Sequence, residues 1–228
     1  MLLGSEAMEK LQSSHVAVFG LGGVGSWCAE ALVRSGIGAI TLVDQDTVGE
    51  SNSNRQLCAL SSTIGMPKAE VMAARLLDIN PQLRVTPMVQ RYEAASRESF
   101  FAQHYDYIVD CIDLVACKLD LIETALSHDI PIISSLGTGN KQDPEALTIT
   151  DISKTTGCPF ARVMRKELRR RGINHLTVVY SSEEALAPEQ FEAPPPGRRS
   201  VPGSLVWVPA TAGMLLCSHV VRTLAKGE

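Results

Sequence analysis

His15-Val-Ala-Val-Phe-Gly20-Leu-Gly22-Gly23-Val-Gly25 is the stretch of sequence that decides the fold. An apolar run ends in a G-x-G-x-x-G cluster, and residues 24–35 follow with apolar side chains at helical spacing. This order predicts a strand, a tight turn and a helix whose N-terminus favours negative charge. We therefore predict that the four glycines of this turn bind the phosphates of a nucleotide: Gly20, Gly22, Gly23 and Gly25.

A second apolar run, residues 39–43, leads into Asp44 and completes a βαβ unit. A carboxylate at this position can accept hydrogen bonds from ribose hydroxyls, so Asp44 is a candidate ribose ligand. The glycine turn and Asp44 fit an NAD-dependent dehydrogenase as well as an ATP-using enzyme. A glycine turn with a purely structural role is a third interpretation.

Strand and helix patterns alternate through the first 140 residues. Helices are predicted at 67–80 and 115–128, and strands at 84–89, 105–111 and 131–135. This alternation predicts a Rossmann-like α/β fold, with a mostly parallel sheet and helices on both faces. We expect residues 1–228 to form one domain, with a nucleotide-binding core at 1–140 and an appended C-terminal strand and helix part at 141–228.

The C-terminal part has a different pattern from the core. It predicts strands at 147–152, 176–181 and 204–208, and helices at 159–171 and 210–225. Residues 181–203 are rich in proline and glutamate, which predicts a flexible loop. Residues 205–221 carry no charge, but Pro209, Gly213 and His219 interrupt them and they barely reach bilayer length. A strand and a buried helix are therefore predicted there, and no membrane span.

Composition narrows the classes of function. A net charge of −4 over 228 residues argues against a protein that coats nucleic acid, so any RNA contact must be local. The six cysteines show no pairing typical of a disulfide framework or a zinc site. We therefore expect no zinc. The N-terminus also lacks a secretory signal pattern, so we expect a cytoplasmic protein.

Two cations after Asp44 favour ATP over NAD. Cleavage of ATP between its α- and β-phosphates calls for cations that neutralise charge on the departing pyrophosphate, and hydride transfer does not. Arg55 and Lys68 have this chemistry, and both are candidate catalytic residues. The alternatives are that Arg55 pairs with a surface acid and that Lys68 only decorates the start of a helix.

Asp110-Cys111-Ile112-Asp113 ends a later predicted strand and places two carboxylates at the carboxyl edge of the sheet, where ligands bind in open α/β folds. Asp113 is a candidate ligand for Mg²⁺, because this ion prefers carboxylate and phosphate oxygens. The alternative is that Asp113 caps the helix that begins near Leu114.

Taken together, these motifs resemble the adenylation core shared by ubiquitin-activating enzymes and their bacterial relatives in molybdopterin and thiamine biosynthesis. The resemblance implies that ATP and Mg²⁺ are used to activate a carboxylate by attack on the α-phosphate, with release of pyrophosphate. It implies that Asp44 holds the ribose and that Asp113 binds Mg²⁺. The residues implied to bind the nucleotide beside the glycine turn are Asp44, Asp46, Asn52, Arg55, Gln56 and Lys68.

Residues 154–173 and 178–181 resemble the corresponding part of the tRNA threonylcarbamoyladenosine dehydratases. Those enzymes adenylate the threonyl carboxylate of the modified adenosine, and the carbamoyl group then closes a ring with loss of AMP. The resemblance implies this reaction on tRNA by a homodimer, with a cysteine desulfurase or sulfur acceptor as a candidate partner.

Besides the NAD-dependent dehydrogenase considered above, two other functions stay open on the sequence. An adenylyltransferase for the C-terminus of a ubiquitin-like or sulfur-carrier protein is one alternative, although the two Cys-x-x-Cys pairs common in sulfur-carrier activators have no counterpart here. A non-catalytic tRNA-binding module is the other. In the superfamily, an arginine a few residues before the stretch that matches 2–7 reaches the neighbouring subunit's ATP. This sequence begins at Met1, so we expect that arginine to have no counterpart within it.

The segment 159–171 carries six basic residues and one acid, so it can offer a cationic helix to a tRNA backbone. The alternative is an ordinary solvated helix face. Cys158, just before the helix, is a candidate nucleophile because a helix N-terminus can lower the pKa of a thiol. The candidate tRNA contacts are Arg162, Arg165, Lys166, Arg169 and Arg170.

Overall fold

The computed structural model describes residues 2–187, 189 and 202–226. The helices are α1 (Ser5–Ser13), α2 (Gly25–Arg34), α3 (Lys68–Ile79), α4 (Arg97–Phe100), α5 (Val115–Ser127), α6 (Pro159–Arg170) and α7 (Trp207–Lys226). The strands are β1 (His15–Phe19), β2 (Ala39–Val43), β3 (Arg84–Met88), β4 (Tyr107–Asp110), β5 (Ile132–Ser135), β6 (Leu147–Asp151) and β7 (Thr177–Ser181).

All seven strands form one sheet in the order β3-β2-β1-β4-β5-β7-β6. Every neighbouring pair is parallel except β6 and β7, which run antiparallel at one edge. The predicted Rossmann-like, mostly parallel α/β fold is confirmed. The chain winds outward from β1 to β3 and then returns to β4 on the other side of β1. A crevice therefore opens at the carboxyl ends of β1 and β4, where ligands bind in such folds.

The sheet separates two hydrophobic cores, and the alternation of side chains along β1 shows why. Val16 and Val18 pack in the core covered by α2, α3 and α7, whereas Ala17 and Phe19 pack in the core covered by α5 and α6. Successive side chains of a strand point to opposite faces, so a strand that is apolar at every position needs helices on both sides.

Helix α7 corrects one prediction from the sequence. The strand predicted at 204–208 is wrong, because residues 202–206 have no regular structure and the helix begins at Trp207. The apolar run is strand-like over a short window, but it continues a helical pattern in which Val208, Ala212 and Leu216 are all buried. Over the described residues, helical burial against the sheet outweighs local β propensity.

Among the described residues, α7 is the one helix long and apolar enough to cross a membrane. It packs as a core helix against α2. A Cβ atom on Gly213 would lie 2.7 Å from the carbonyl oxygen of Val24, so the two helix backbones approach closely there. Core helices of globular proteins have the same length and composition, and the packing accounts for the apolar sequence of α7.

The predicted loop at 181–203 lies partly outside the described residues, at 188 and 190–201. Ser181 is the last residue of β7, and 182–187, 189, 202 and 203 have neither helix nor strand structure. Helix α1 was not predicted, because only Ala7 and Leu11 of it are buried and the apolar pattern is correspondingly weak.

Candidate nucleotide site

The glycine turn lies at the carboxyl end of β1, in the crevice between β1 and β4. Gly20 has a positive φ of 89°, and a Cβ atom on it would lie 2.7 Å from the carbonyl oxygen of Cys111. A Cβ atom on Gly25 would overlap with the carbonyl oxygen of Gly20. Both positions therefore require glycine, and the turn is held tightly against the segment that follows β4.

Asp44 lies beside the glycine turn. Its carboxylate accepts hydrogen bonds from the backbone N–H groups of Leu21, at 2.6 Å, and Asp46, at 2.8 Å. Burial raises the pKa of Asp44 above its ordinary value, although both backbone hydrogen bonds oppose the shift. The structure thus places the predicted ribose ligand at the glycine turn, where it also fixes the turn's backbone.

Asp46 and Lys68 form an ion pair, with 3.1 Å between the ammonium nitrogen and a carboxylate oxygen. The backbone N–H of Lys68 also donates to the carbonyl oxygen of Asp46, at 2.9 Å. The lysine side chain is 6% exposed, whereas that of Asp46 is 57% exposed. Because one partner faces water, a phosphate can replace the carboxylate beside Lys68 without breaking the core.

Arg55 lies directly over the glycine turn. A Cβ atom on Gly23 would lie 3.3 Å from Cγ of Arg55, and the guanidinium donates to the carbonyl oxygen of Ser51 at 2.8 Å and the side-chain oxygen of Asn54 at 2.9 Å. Partial burial lowers the pKa of Arg55, yet an arginine stays charged in proteins. Both of these partners are neutral, and among the described residues Arg55 forms no ion pair.

Asn52 and Gln56 flank Arg55 in the same segment. The Asn52 side chain accepts a hydrogen bond from the backbone N–H of Gly49, at 3.0 Å, and therefore shapes the loop. Gln56 is buried, and a Cβ atom on Gly22 would lie 3.9 Å from its amide nitrogen. Arg55 and Gln56 therefore lie along the glycine turn, and Asn52 shapes the loop that leads to them.

Asp113 lies in the segment between β4 and α5 and is exposed. The residue that caps α5 is Leu114, so the alternative in which Asp113 is the helix cap is wrong. Burial raises the pKa of the neighbouring Cys111 to about 12, which keeps that thiol protonated at neutral pH. Of the side chains in this motif, Asp113 is the one that can present a charge to a ligand.

Two contributors to the site were missed by sequence reasoning. Lys118 of α5 is fully buried and pairs with Asp110, at 2.8 Å, beneath the segment that carries Asp113. Residues 203–209 pass over the glycine turn: Pro209 packs on Gly23, and the Asn54 side chain donates to the carbonyl oxygen of Ser204 at 3.0 Å. A lysine between the apolar residues Cys117 and Leu119 was the available signal for Lys118. The position of residues 203–209 depends on how the chain returns to the carboxyl edge of the sheet.

The candidate tRNA-binding helix, α6, lies apart from these residues, on the face covered by α5. Its N-terminus still reaches the carboxyl edge of the sheet, because a Cβ atom on Gly137, just after β5, would lie 3.5 Å from Cβ of Phe160. Cys158 precedes this helix, is 5% exposed and packs in the core between α5 and α6. Its role as a nucleophile stays a prediction.

Comparison with known proteins matches this architecture to one family over nearly the whole chain. The profile of the ThiF family covers residues 1–227. The chain belongs to the ThiF family. This ThiF-family protein is 43% identical to the tRNA threonylcarbamoyladenosine dehydratase of Bacillus subtilis strain 168, over 99% of the chain and 92% of that relative. It is 35% identical to the dehydratase of Escherichia coli K12, over 98% of the chain and 90% of the relative.

Solved structures place the ThiF-family protein in the same group. The crystal structure of E. coli tRNA N6-threonylcarbamoyladenosine dehydratase in complex with ATP superposes with a TM-score of 0.89 and covers 99% of this chain and 91% of that one, at 35% identity. Similarity to the molybdopterin-synthase adenylyltransferase of E. coli, at 35% identity, covers only 57% of this chain and 51% of the relative. The similarity to the dehydratases therefore extends over almost the whole chain, and the similarity to that adenylyltransferase over little more than half of it.

Proposed function

We propose that this protein uses ATP to dehydrate N6-threonylcarbamoyladenosine in tRNA. The threonyl carboxylate attacks the α-phosphate of ATP and pyrophosphate leaves, which gives a mixed acyl-phosphate anhydride. The carbamoyl group then attacks the activated carbonyl, a ring closes, and AMP departs with the oxygen that the carboxylate has lost. The net change in the nucleoside is the loss of one water.

One observation carries this proposal: Arg55 stands over the glycine turn, and Lys68 pairs with Asp46, in a chain that matches an ATP-bound dehydratase over 99% of its length. The turn and the N-terminus of α2 would hold phosphate oxygens, and Asp44 would hold the ribose. Lys68 would exchange Asp46 for a phosphate, and Arg55 would stabilise the charge that develops on pyrophosphate.

We propose Mg²⁺ as the metal that accompanies ATP, held by Asp113. Among the described residues, no three or more His, Cys, Asp or Glu side chains lie together as metal ligands, so the chain would supply one carboxylate. One carboxylate together with phosphate oxygens and water suits this ion, which keeps much of its hydration shell in ATP-using enzymes. When bound, the ion neutralises charge on the phosphates.

The proposal is tested by incubating the protein with ATP, Mg²⁺ and tRNA that either carries or lacks threonylcarbamoyladenosine. Mass spectrometry of the nucleosides and release of AMP are measured together. We expect AMP release only with the modified tRNA, in step with loss of one water from the nucleoside. AMP release driven instead by a protein ending in glycine-glycine would favour the carrier-activating alternative.

We further propose that tRNA contacts three of the basic residues of α6. Arg162, Lys166 and Arg169 are exposed, recur at spacings of four and three residues on one face of the helix, and have no side-chain partner among the described residues. Three others already have partners. Arg165 donates to Thr155, Arg170 pairs with Glu167, and Arg171 pairs with Glu167 and Glu123.

This division allows a matched test of tRNA binding. Replacing Arg162, Lys166 and Arg169 with glutamine should weaken tRNA binding and reduce the slope of log K against log salt by about 2 to 3, since each phosphate contact contributes about 0.7 to 0.9. The control replaces Arg165, Arg170 and Arg171 with glutamine, which removes the same charge from the same part of the chain. Equal losses of slope in the two triple variants would count against the three-residue contact.

Assembly and location are proposed from the family resemblance and two structural observations. We propose a homodimer, which the exposed apolar side chains of Leu60, Ile64 and Met66 support, since they cluster on one connection outside the core. All six cysteines are free, which supports a cytoplasmic location. A sulfur-acceptor or cysteine desulfurase partner rests on the resemblance alone. Light scattering of the purified protein tests the dimer.

A further inference from the structure

Lys118 and Asp110 form a fully buried ion pair between α5 and the end of β4. Both side chains have 0% exposure, and the ammonium nitrogen lies 2.8 Å from a carboxylate oxygen. Ser134 of the neighbouring strand donates to the same carboxylate at 2.6 Å. Removing both charges from water costs free energy, so a buried ion pair is weak evidence for stability. The groups that the pair contacts therefore indicate its role.

Both polar groups of one backbone residue are fixed by this pair. The N–H of Ile112 donates to the carboxylate of Asp110 at 3.0 Å, and the carbonyl oxygen of Ile112 accepts from the ammonium of Lys118 at 3.0 Å. The carbonyl of Ile112 belongs to the peptide plane that leads into Asp113. The ion pair therefore fixes the direction in which the chain enters Asp113.

The same segment also touches the glycine turn. The carbonyl oxygen of Cys111 lies where Gly20 would carry a Cβ atom, and the backbone N–H of Cys111 donates to the carbonyl oxygen of Phe19 at 2.7 Å. The glycine turn and Asp113 thus stand on opposite ends of one short, braced segment. A shift of about 1 Å in such a segment is enough to impair a site that depends on orientation.

We propose that Lys118, together with Asp110, is a positioning residue that aims Asp113 at the metal-bound phosphates of ATP. This inference rests on the proposed metal role of Asp113. Lys118 touches neither substrate nor reacting atoms, and it acts through the backbone of Ile112. Residues that orient a metal ligand from outside typically change metal affinity by about 10- to 100-fold when they are replaced.

The test measures binding rather than turnover. Calorimetry gives the affinity for a non-hydrolysable ATP analogue with and without Mg²⁺, and the ratio of the two affinities is the gain due to the metal. The main variant is Asp110→Asn combined with Lys118→Met, which leaves no buried charge and keeps an acceptor for the N–H of Ile112. We expect the metal-dependent gain to fall by about tenfold, with the metal-free affinity unchanged.

Asp113→Ala separates the two proposals. It should abolish the metal-dependent gain, and adding the Asp110 and Lys118 changes to it should then have no further effect, because groups that act through one another are not additive. If Asp113→Ala alone leaves the gain intact, the proposed metal role fails, and the inference about Lys118 fails with it. If Asp113→Ala removes the gain but the pair variant keeps it, only the inference fails.

Two further variants guard against a folding defect. Ser134→Ala removes one hydrogen bond to Asp110 and should fold in any case, with a reduction of the gain of about threefold from the loss of roughly 0.7 kcal/mol. The control combines Arg97→Met with Asp120→Asn, which neutralises the ion pair that joins α4 to α5 two residues beyond Lys118. A fall in the control equal to that in the pair variant would overturn the positioning role.

Discussion

Two lysine–aspartate pairs lie near the carboxyl edge of the sheet and differ mainly in how far their side chains are buried. Lys68 and Asp46 are 3.1 Å apart and Lys118 and Asp110 are 2.8 Å apart, so their pairing chemistry is nearly the same. The carboxylate of Asp46 is 57% exposed, whereas that of Asp110 is fully buried. The first pair can open toward a phosphate, and the second cannot open without leaving a charge in the core.

The difference shows how a charged pair can be assigned either to substrate binding or to support of the fold. An exposed partner is replaceable, because water solvates it when the lysine turns to another anion. A buried pair with every hydrogen-bonding group satisfied is a fixed support for the backbone around it. Two predictions test this distinction, and a third extends it to a buried carboxylate that is held by backbone N–H groups.

The largest effect is expected from matched neutralisation of the two aspartates. Asp110→Asn should lower the free energy of unfolding by about 3 to 5 kcal/mol, since it leaves the buried Lys118 without a counter-charge. Asp46→Asn should lower it by less, because Lys68, although 6% exposed, still has the carboxylate of Asp44 nearby. Urea denaturation measures both, and equal losses would remove the distinction.

A second effect separates activity from stability at Lys68. Lys68→Met should reduce the rate of tRNA-dependent AMP formation by about 10²- to 10³-fold, the range found when one preorganised donor to a developing charge is removed. The same substitution should change the melting temperature little, because Asp46 can turn to water. A rate loss explained entirely by unfolded protein, as seen by circular dichroism, would contradict this assignment.

The smallest effect concerns Asp44, a carboxylate bonded to backbone N–H groups. Because burial raises its pKa in the folded protein, its contribution to stability is fully present below the ordinary value of 3.8 and is lost as pH rises through the raised value. Wild type should therefore lose stability relative to Asp44→Asn as the pH increases across that window. Denaturation curves at several pH values check the sign, and a difference that grows in the opposite direction would show a lowered pKa.

Much of the fold could be predicted because local pattern and tertiary structure agree there. The strand of His15–Phe19, the glycine turn and the helix after it are confirmed, since fully apolar strands and a helix opened by glycines leave few alternatives. The strand predicted at 204–208 failed for the opposite reason. A short apolar run fits the side-chain period of a strand as well as that of a helix. Its packing against α2 and the sheet selects the helix.

The candidate site divides in the same way. Residues with chemistry that ATP requires, such as Arg55 and Lys68, could be chosen from their type and their place after the glycine turn. The roles of the individual residues stay predictions. The partners of each charge could not be predicted, because an ion pair such as that of Arg171 with Glu123 joins side chains far apart in sequence.

The sequence by itself determined the layer architecture, the nucleotide turn and the family resemblance, because all three depend on residues that are close together along the chain. Only the tertiary structure decided which of the two aspartates, Asp110 at the end of β4 and Asp113 beyond it, is exposed and which is buried against Lys118. Burial is the physical reason: the same carboxylate is a replaceable ligand in water and a fixed support in the core, and burial is set by the packing of β4 against α5 and β5.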